Sequence, residues 1–204
     1  MKYELGIEGE YQPGSNEKVL ANKLGITDAE DMFDAESTLL RQLYEHIFQH
    51  SPVLDAVNFE TITFWHRAWL SPIYSWAGSL RTADMSKGGF RFAAANFLHK
   101  QIPDFEERFL SQFASLVDYN VDELVAFLAR LHVEFILIHP FREGNGRISR
   151  LLNDVLLVRA GYLPMDYQLW HKHRDYYIKA IQAGVAGDYQ YIERLMRDSL
   201  KSQL

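Results

Sequence analysis

A polar loop set between two strongly apolar helical patterns constrains this chain more than any other feature. From about residue 122, Leu124, Phe127, Leu128, Leu131, Phe135 and Ile138 recur at helical spacing, and the pattern ends apolar nearly all round. After the loop, Ile148, Leu151, Leu152, Val155 and Leu156 repeat the arrangement, and Gly161 supplies a C-terminal cap. Helices this apolar belong in the middle of a core. The loop HPFREGNGRISR, residues 139–150, must therefore turn at the mouth of that core while carrying a histidine, a carboxylate, two glycines and several arginines.

Each residue type in the loop suits a different task. Pro140 disfavours a helical conformation at His139, so the histidine sits at a rigid helix end. With a near-neutral pKa its imidazole can take a proton from a hydroxyl, although a histidine there can equally cap the last helical carbonyls. Phe141 reads as an anchor to the core. Glu143, on a tight loop, can ligate Mg²⁺ or stand as a solvated charge. Gly144-Asn145-Gly146 permits a sharp turn and, with the unpaired N–H groups of the helix beginning just after it, forms an anion cradle; plain turns use the same residues. Arg147 and Arg150, three apart, project from one side of that helix and suit a polyphosphate, or else surface salt bridges such as Arg150 with Asp154. Asn153, three further on, is expected on the same side, within reach of a base or ribose. Singly these residues are ordinary. Compressed into one short loop, they describe a site for a nucleoside triphosphate.

The remainder reads as helical, with one exception. Residues 1–18, rich in Gly, Pro, Ser and Asn, form an irregular lead-in. A helix is expected over about 34–50, marked by Leu39, Leu43 and Ile47 and ended by Ser51-Pro52. Asn58 caps a second, carrying Ile62, Trp65, Trp69 and Leu70 and closed by Ser71-Pro72. Residues 80–92, LRTADMSKGGFRF, lose the helical period and place Lys87-Gly88-Gly89 between β-compatible flanks. They predict a β-hairpin or flap, the only β element expected. Helix resumes near Ala93, breaks at Pro103 and continues through Phe105, Phe109, Phe113 and Leu116. The last helical region covers about 175–204, interrupted at Gly184 and Gly187. The fold class is all-α with a short β-hairpin flap, a single compact unit overall.

Composition narrows the partners. The net charge is -6 with the basic residues scattered, which disfavours a nucleic-acid surface, because phosphate-backbone affinity needs clustered Lys and Arg. There are no cysteines, so neither a disulfide framework nor a cysteine zinc site can form. No apolar run approaches the roughly 18–20 residues that span a bilayer, and the glutamates of the opening residues do not resemble a secretory signal. The expected location is the cytoplasm, with secretion as an effector left open. The aromatic residues, 14% of the chain, fill a core or serve an interface, so a homodimer also stays open.

Residues 139–150 match, at every specified position, the signature His-Pro-Phe-x-(Asp/Glu)-Gly-Asn-Gly-Arg-x-x-Arg of the Fic (filamentation induced by cAMP) family, which this chain resembles. Trp76-Ala77-Gly78, Leu80-Arg81 and Ser86-Lys87-Gly88-Gly89 look like that family's segment leading into its flap. RDYYIKAIQAGVAGDYQYI, residues 174–192, resembles its nucleotide-side helices. The resemblance implies the Fic fold, with 51–204 as the Fic domain and 1–50 as a lead-in and helix. It implies transfer of AMP from ATP to a Tyr, Thr or Ser hydroxyl of a target protein, with release of pyrophosphate. His139 would deprotonate that hydroxyl. Glu143 would hold Mg²⁺ between the α- and β-phosphates, and backbone groups of Gly144, Asn145 and Gly146 would cradle the phosphates. Arg147 would stabilise the departing pyrophosphate and Arg150 the terminal phosphate, while Asn153 and Tyr176 or Tyr177 would touch the nucleoside. Ser86, Lys87, Gly88 and Gly89 would dock the target and phosphates, the target by strand addition. Such a transfer needs positioning and charge neutralisation more than covalent chemistry, and those parts are present.

Three rival readings differ in class. A related transferase could move UMP, phosphoryl or phosphocholine instead; the phosphotransferase (Doc-type) relatives carry Lys where Gly146 stands. A nucleotide-binding adaptor without catalysis would leave the intact His139 and Glu143 unexplained. A metal hydrolase built on His46 and His50, or on His171 and His173, has no third ligand at readable spacing; HKHR, 171–174, reads more simply as a solvated helix start. Finally, many family members carry an inhibitory (Ser/Thr)-x-x-x-Glu-(Gly/Asn) helix, and no Ser or Thr here has Glu four residues on. The chain is expected to lack intrinsic inhibition or to receive it from a separate antitoxin-like protein.

Overall fold

The computed structural model describes residues 4–5, 10–50 and 54–200. Several helix starts are set by side-chain caps. Asp28 accepts hydrogen bonds from the Glu30 and Asp31 amides (2.8 and 3.2 Å) and opens α1 (Ala29–Glu45), which a single π turn over His46–His50 extends. The helix starts at Ala29 rather than near residue 34 because its first turn is polar and shows no apolar period. Asn58 opens α2 (Phe59–Leu70) through a capping box with Thr61, and the helix ends at Ser71 as expected. The proposed stop at Ser51-Pro52 lies outside the described residues.

α3 (Leu98–Arg108) runs through Pro103 instead of breaking there. The proline removes the donor to the His99 carbonyl, but both residues are exposed, so water can serve that group. Beyond it the chain tightens into a 3-10 helix over Leu110–Asp118 rather than continuing as an α-helix. Leu110, Phe113 and Leu116 are its buried residues, and a spacing of three aligns on one face only with three residues per turn.

α4 (Val121–Ile138), opened by an Asn120–Glu123 capping box, and α5 (Asn145–Arg159) form the centre. Leu124, Leu128, Leu131 and Phe135 of the first and Ile148, Leu151, Leu152 and Leu156 of the second are wholly buried, each worth about 1.5–3 kcal/mol. α6 (Gln168–Lys172), α7 (Arg174–Val185) and α8 (Gln190–Leu200) complete the bundle, with α7 and α8 both against α4. Gly184 lies inside α7 rather than interrupting it: a Cβ there would stand 2.7 Å from Val133 Cγ2, so it permits the close approach to α4. The chain turns at Gly187 instead.

The flap is present as β2 (Met85–Lys87) and β3 (Phe90–Arg91), joined by Gly88 and Gly89, both at positive φ as a two-residue hairpin loop requires. The hairpin is not the only β element. Within the lead-in, β1 (Glu4–Leu5) pairs antiparallel with β2, Glu4 opposite Ser86 and Leu5 opposite Met85. The sheet order is β1-β2-β3, so the outer edge of β2 is taken by the chain itself.

Candidate active site

The loop turns where sequence places the turn. α4 ends at His139, which takes a left-handed conformation (φ 49°, ψ 59°) while its amide still bonds to the Phe135 carbonyl. Its Nδ1 lies 3.1 Å from the Ile136 carbonyl; a carbonyl only accepts, so Nδ1 carries the proton and Nε2 is the basic nitrogen. The ring stacks on Phe92 (3.6 Å between centroids) and is 3% exposed. Burial pushes its pKa down to about 3, aided by the cations of Arg81 and Lys87 and opposed by the Ile136 bond. The near-neutral value expected from the residue type is therefore corrected: this imidazole is held neutral.

Phe141 is buried, stacked on His66 at 4.0 Å between centroids. His66 accepts from the Gly78 amide at Nδ1 and so donates from Nε2 to the Glu143 carbonyl (3.0 Å). Glu143 Oε1 accepts from the Gly144 amide at 2.8 Å and lies 3.7 Å from Arg147. Gly144 (φ 83°) caps α5, and a Cβ there would meet the Trp69 ring at 2.7 Å. The helix thus begins at Asn145, two residues earlier than a start beyond Gly146. Asn145 does not face the ligand space. Fully buried, it grips the Phe141 backbone with both ends of its amide (2.9 and 2.7 Å), which holds the loop shut.

Arg147 is fixed from a direction the sequence does not reveal. Glu36, one of the buried residues of α1, makes a 2.6 Å ion pair with it, and the guanidinium lies 4.5 Å over Trp69. Glu36 is itself anchored, its other oxygen accepting from Tyr74 (2.7 Å) and its carbonyl from Trp69 (2.8 Å). Arg150 lies over the Tyr167 ring and makes no pair with Asp154, which accepts instead from Tyr44, Tyr167 and the Met165 amide.

These groups share one cavity of about 670 Å³, of a size that takes a nucleotide-scale ligand. His139, Glu143, Gly144, Gly146, Arg147 and Arg150 line it with Lys87 and Gly88 of the flap; Ser86 and Gly89 fall outside the lining. Met32, Phe33 and Glu36 of α1 form one wall, and Trp170, His171, Arg174, Tyr177 and Ile181 another. Tyr177 stacks on Trp170 and hydrogen-bonds His132 (2.9 Å), whereas Tyr176 points to the Tyr191 carbonyl and does not line the cavity. Asn153 is a second correction. It is fully buried beside His132 (3.3 Å) and away from the cavity, because each three-residue step falls back 60° around a helix and two steps carry it about 120° from Arg147. Arg174, read from sequence as part of a solvated helix start, reaches the cavity and was missed. Among the described residues no three His, Asp or Glu side chains converge to hold a metal, and no helix is long and apolar enough to cross a membrane.

The Fic/DOC family model matches residues 56–157. Over 98% of its length the chain is 27% identical to a probable protein adenylyltransferase Fic of Salmonella typhimurium, covering 95% of that protein. The N-terminal Fic domain of the effector protein Bep8 from Bartonella sp. 1-1C superposes with a TM-score of 0.77 at 17% identity, covering 89% of this chain and 90% of that one. BepC of Bartonella tribocorum, solved with bound AMPPNP, gives 0.75 at 20% identity over 94% of this chain and 97% of the other.

Proposed function

We propose, from the premise that this chain belongs to the Fic/DOC family, that it transfers AMP from ATP to a Tyr, Thr or Ser hydroxyl of a target protein. One observation carries the reading: a neutral imidazole with its tautomer fixed by Ile136 opens onto the same cavity as the start of α5 and two arginines. The target oxygen attacks the α-phosphorus, its proton passes to His139 Nε2, and the bond from that phosphorus to the bridging oxygen breaks to release pyrophosphate. Negative phosphates beside the imidazole favour its protonated form, which raises its basicity when the nucleotide is present. The amides at Gly144 and Gly146 and the positive end of α5 receive phosphate oxygens, and Arg147 and Arg150 neutralise the charge that gathers on the leaving group. Trp170 and Tyr177 offer flat apolar surface for the base.

Glu143 fits a Mg²⁺ that arrives with the nucleotide, because a single hard carboxylate at the start of α5, beside the phosphate site, matches an ion that draws most ligands from phosphate and water, Glu36 of the same cavity being engaged by Arg147 and Tyr74. When bound, that ion supplies further charge neutralisation. ATP as donor is supported by the adenylyltransferase name of the Salmonella relative and by the AMPPNP in BepC. Gly146, where phosphotransferase relatives carry lysine, favours nucleotidyl over phosphoryl transfer. With β2 covered by β1, an extended target strand that adds to the hairpin itself would do so at the edge of β3. A separate protein remains the proposed source of inhibition.

The test is transfer from ATP labelled at the α- or the γ-phosphate to co-purified or pulled-down proteins. The α label should appear on protein and fall about 100-fold or more in His139→Ala, the scale of a lost general base. Transfer of the γ label, or undiminished labelling by His139→Ala, overturns the reading.

A further inference from the structure

The flap and the His139 turn meet on one side chain that the mechanism above does not use. Arg81, 6% exposed, stands on the segment between α2 and β2. Among the described residues no carboxylate lies within ion-pair distance of it. Its guanidinium instead donates to four backbone carbonyls. Nε reaches the carbonyl of His139 (2.6 Å) and Nη1 that of Ala83 (2.7 Å), while Nη2 bridges those of Ile138 (3.1 Å) and Ala93. Ile138 and His139 carry the terminal carbonyls of α4, the negative end of its dipole, where a cation is favoured. Ala83 and Ala93 are the two feet of the hairpin, one ahead of β2 and one beyond β3.

Backbone bonds stitch the same seam. The Arg81 amide donates to Pro140 (2.9 Å) and the Ala93 amide to Leu137 (2.9 Å), and Leu80 bridges to Phe141. The planar fork of five N–H groups is what lets one residue span four carbonyls of three segments; a lysine offers three donors from one point. We propose that Arg81 is a positioning residue that fixes the flap and the His139 imidazole relative to each other, so that a hydroxyl laid along the flap arrives at Nε2. The proposal rests on the transfer reading for its kinetic consequence, but the coupling itself does not.

Arg81→Lys and Arg81→Met in the full chain test it. ATP affinity, read by calorimetry, should change less than about twofold, because the phosphate floor at Gly144, Arg147 and Arg150 is untouched. The turnover of AMP transfer should fall about 100-fold in Arg81→Met, the effect of a misplacement near 1 Å, and less in Arg81→Lys. Hydrogen exchange should quicken selectively at residues 83–93 and 137–141, and the ¹⁵N spectrum of His139 should change from a single Nδ1-protonated form to a mixture. If Arg81→Met does not fold, exchange and spectrum in Arg81→Lys decide alone. Exchange that rises evenly across the molecule, or a His139 spectrum unchanged in both variants, overturns the proposal. Should the native protein transfer no AMP, the function falls while the exchange and the spectrum still test the coupling.

Discussion

Acid should weaken this protein well above the pH at which carboxylates titrate, and the reason is three buried neutral histidines. Desolvation pushes the pKa of His66 down to about 4 and those of His132 and His139 to about 3. In the unfolded chain each takes a proton near pH 6.5. Between these values the unfolded state binds more protons, so stability is full above pH 6.5 and is lost as pH falls. From pH 7 to pH 5 each histidine removes about 2 kcal/mol, roughly 6 for the three. Asp154 works the other way: burial raises its pKa to about 6, so the folded state gains protons over the same interval. It returns a little over 1 kcal/mol, leaving a net loss of about 4 kcal/mol, a large part of the 5–15 kcal/mol typical of a domain. Urea unfolding at pH 7 and pH 5, at constant ionic strength, reads this directly from the midpoint and slope. His132→Gln keeps hydrogen-bonding capacity without the titration and should shrink the difference by about half. A stability equal at the two pH values, or higher at pH 5, would refute the reasoning, as would a His132→Gln variant with the full loss.

Two further perturbations address the loop. Gly144→Ala places a methyl 2.7 Å from Trp69 at a positive φ, so thermal melts should show a loss of about 1–3 kcal/mol, accompanied by weaker ATP binding as the start of α5 shifts. Glu36→Gln keeps the bond to Tyr74 but removes the charge opposite Arg147. Stability should fall by about 1–3 kcal/mol while ATP, measured by calorimetry, binds more tightly, since one negative charge leaves a phosphate site. Weaker binding would instead mean that Glu36 matters by holding Arg147 in place.

What was legible in the sequence is what the chain encodes locally. The loop's turn, the non-helical His139 ahead of proline, Gly161 at the end of α5 and the two-glycine hairpin depend on neighbours within a few residues, and each stands where it was expected. The partners from afar were not legible. Glu36 lies 111 positions before Arg147, and it stands outside the (Ser/Thr)-x-x-x-Glu pattern because Met32 holds the place four residues ahead. Arg81 finds its partners among carbonyls, which carry no residue identity. Asn153 failed for a geometric reason: on a helix buried all round, spacing names a side, but not whether that side meets ligand or core. Of Tyr176 and Tyr177, about 100° apart on α7, only one could face the cavity.

The family's shared stretch, 56–157, ends short of both walls of the cavity. Met32 and Glu36 come before it, and Trp170, Arg174 and Tyr177 after it. His139, Glu143, Arg147 and Arg150 thus fall inside that stretch, while the two side walls that would meet the rest of a bound nucleotide are built from the sequence flanking it.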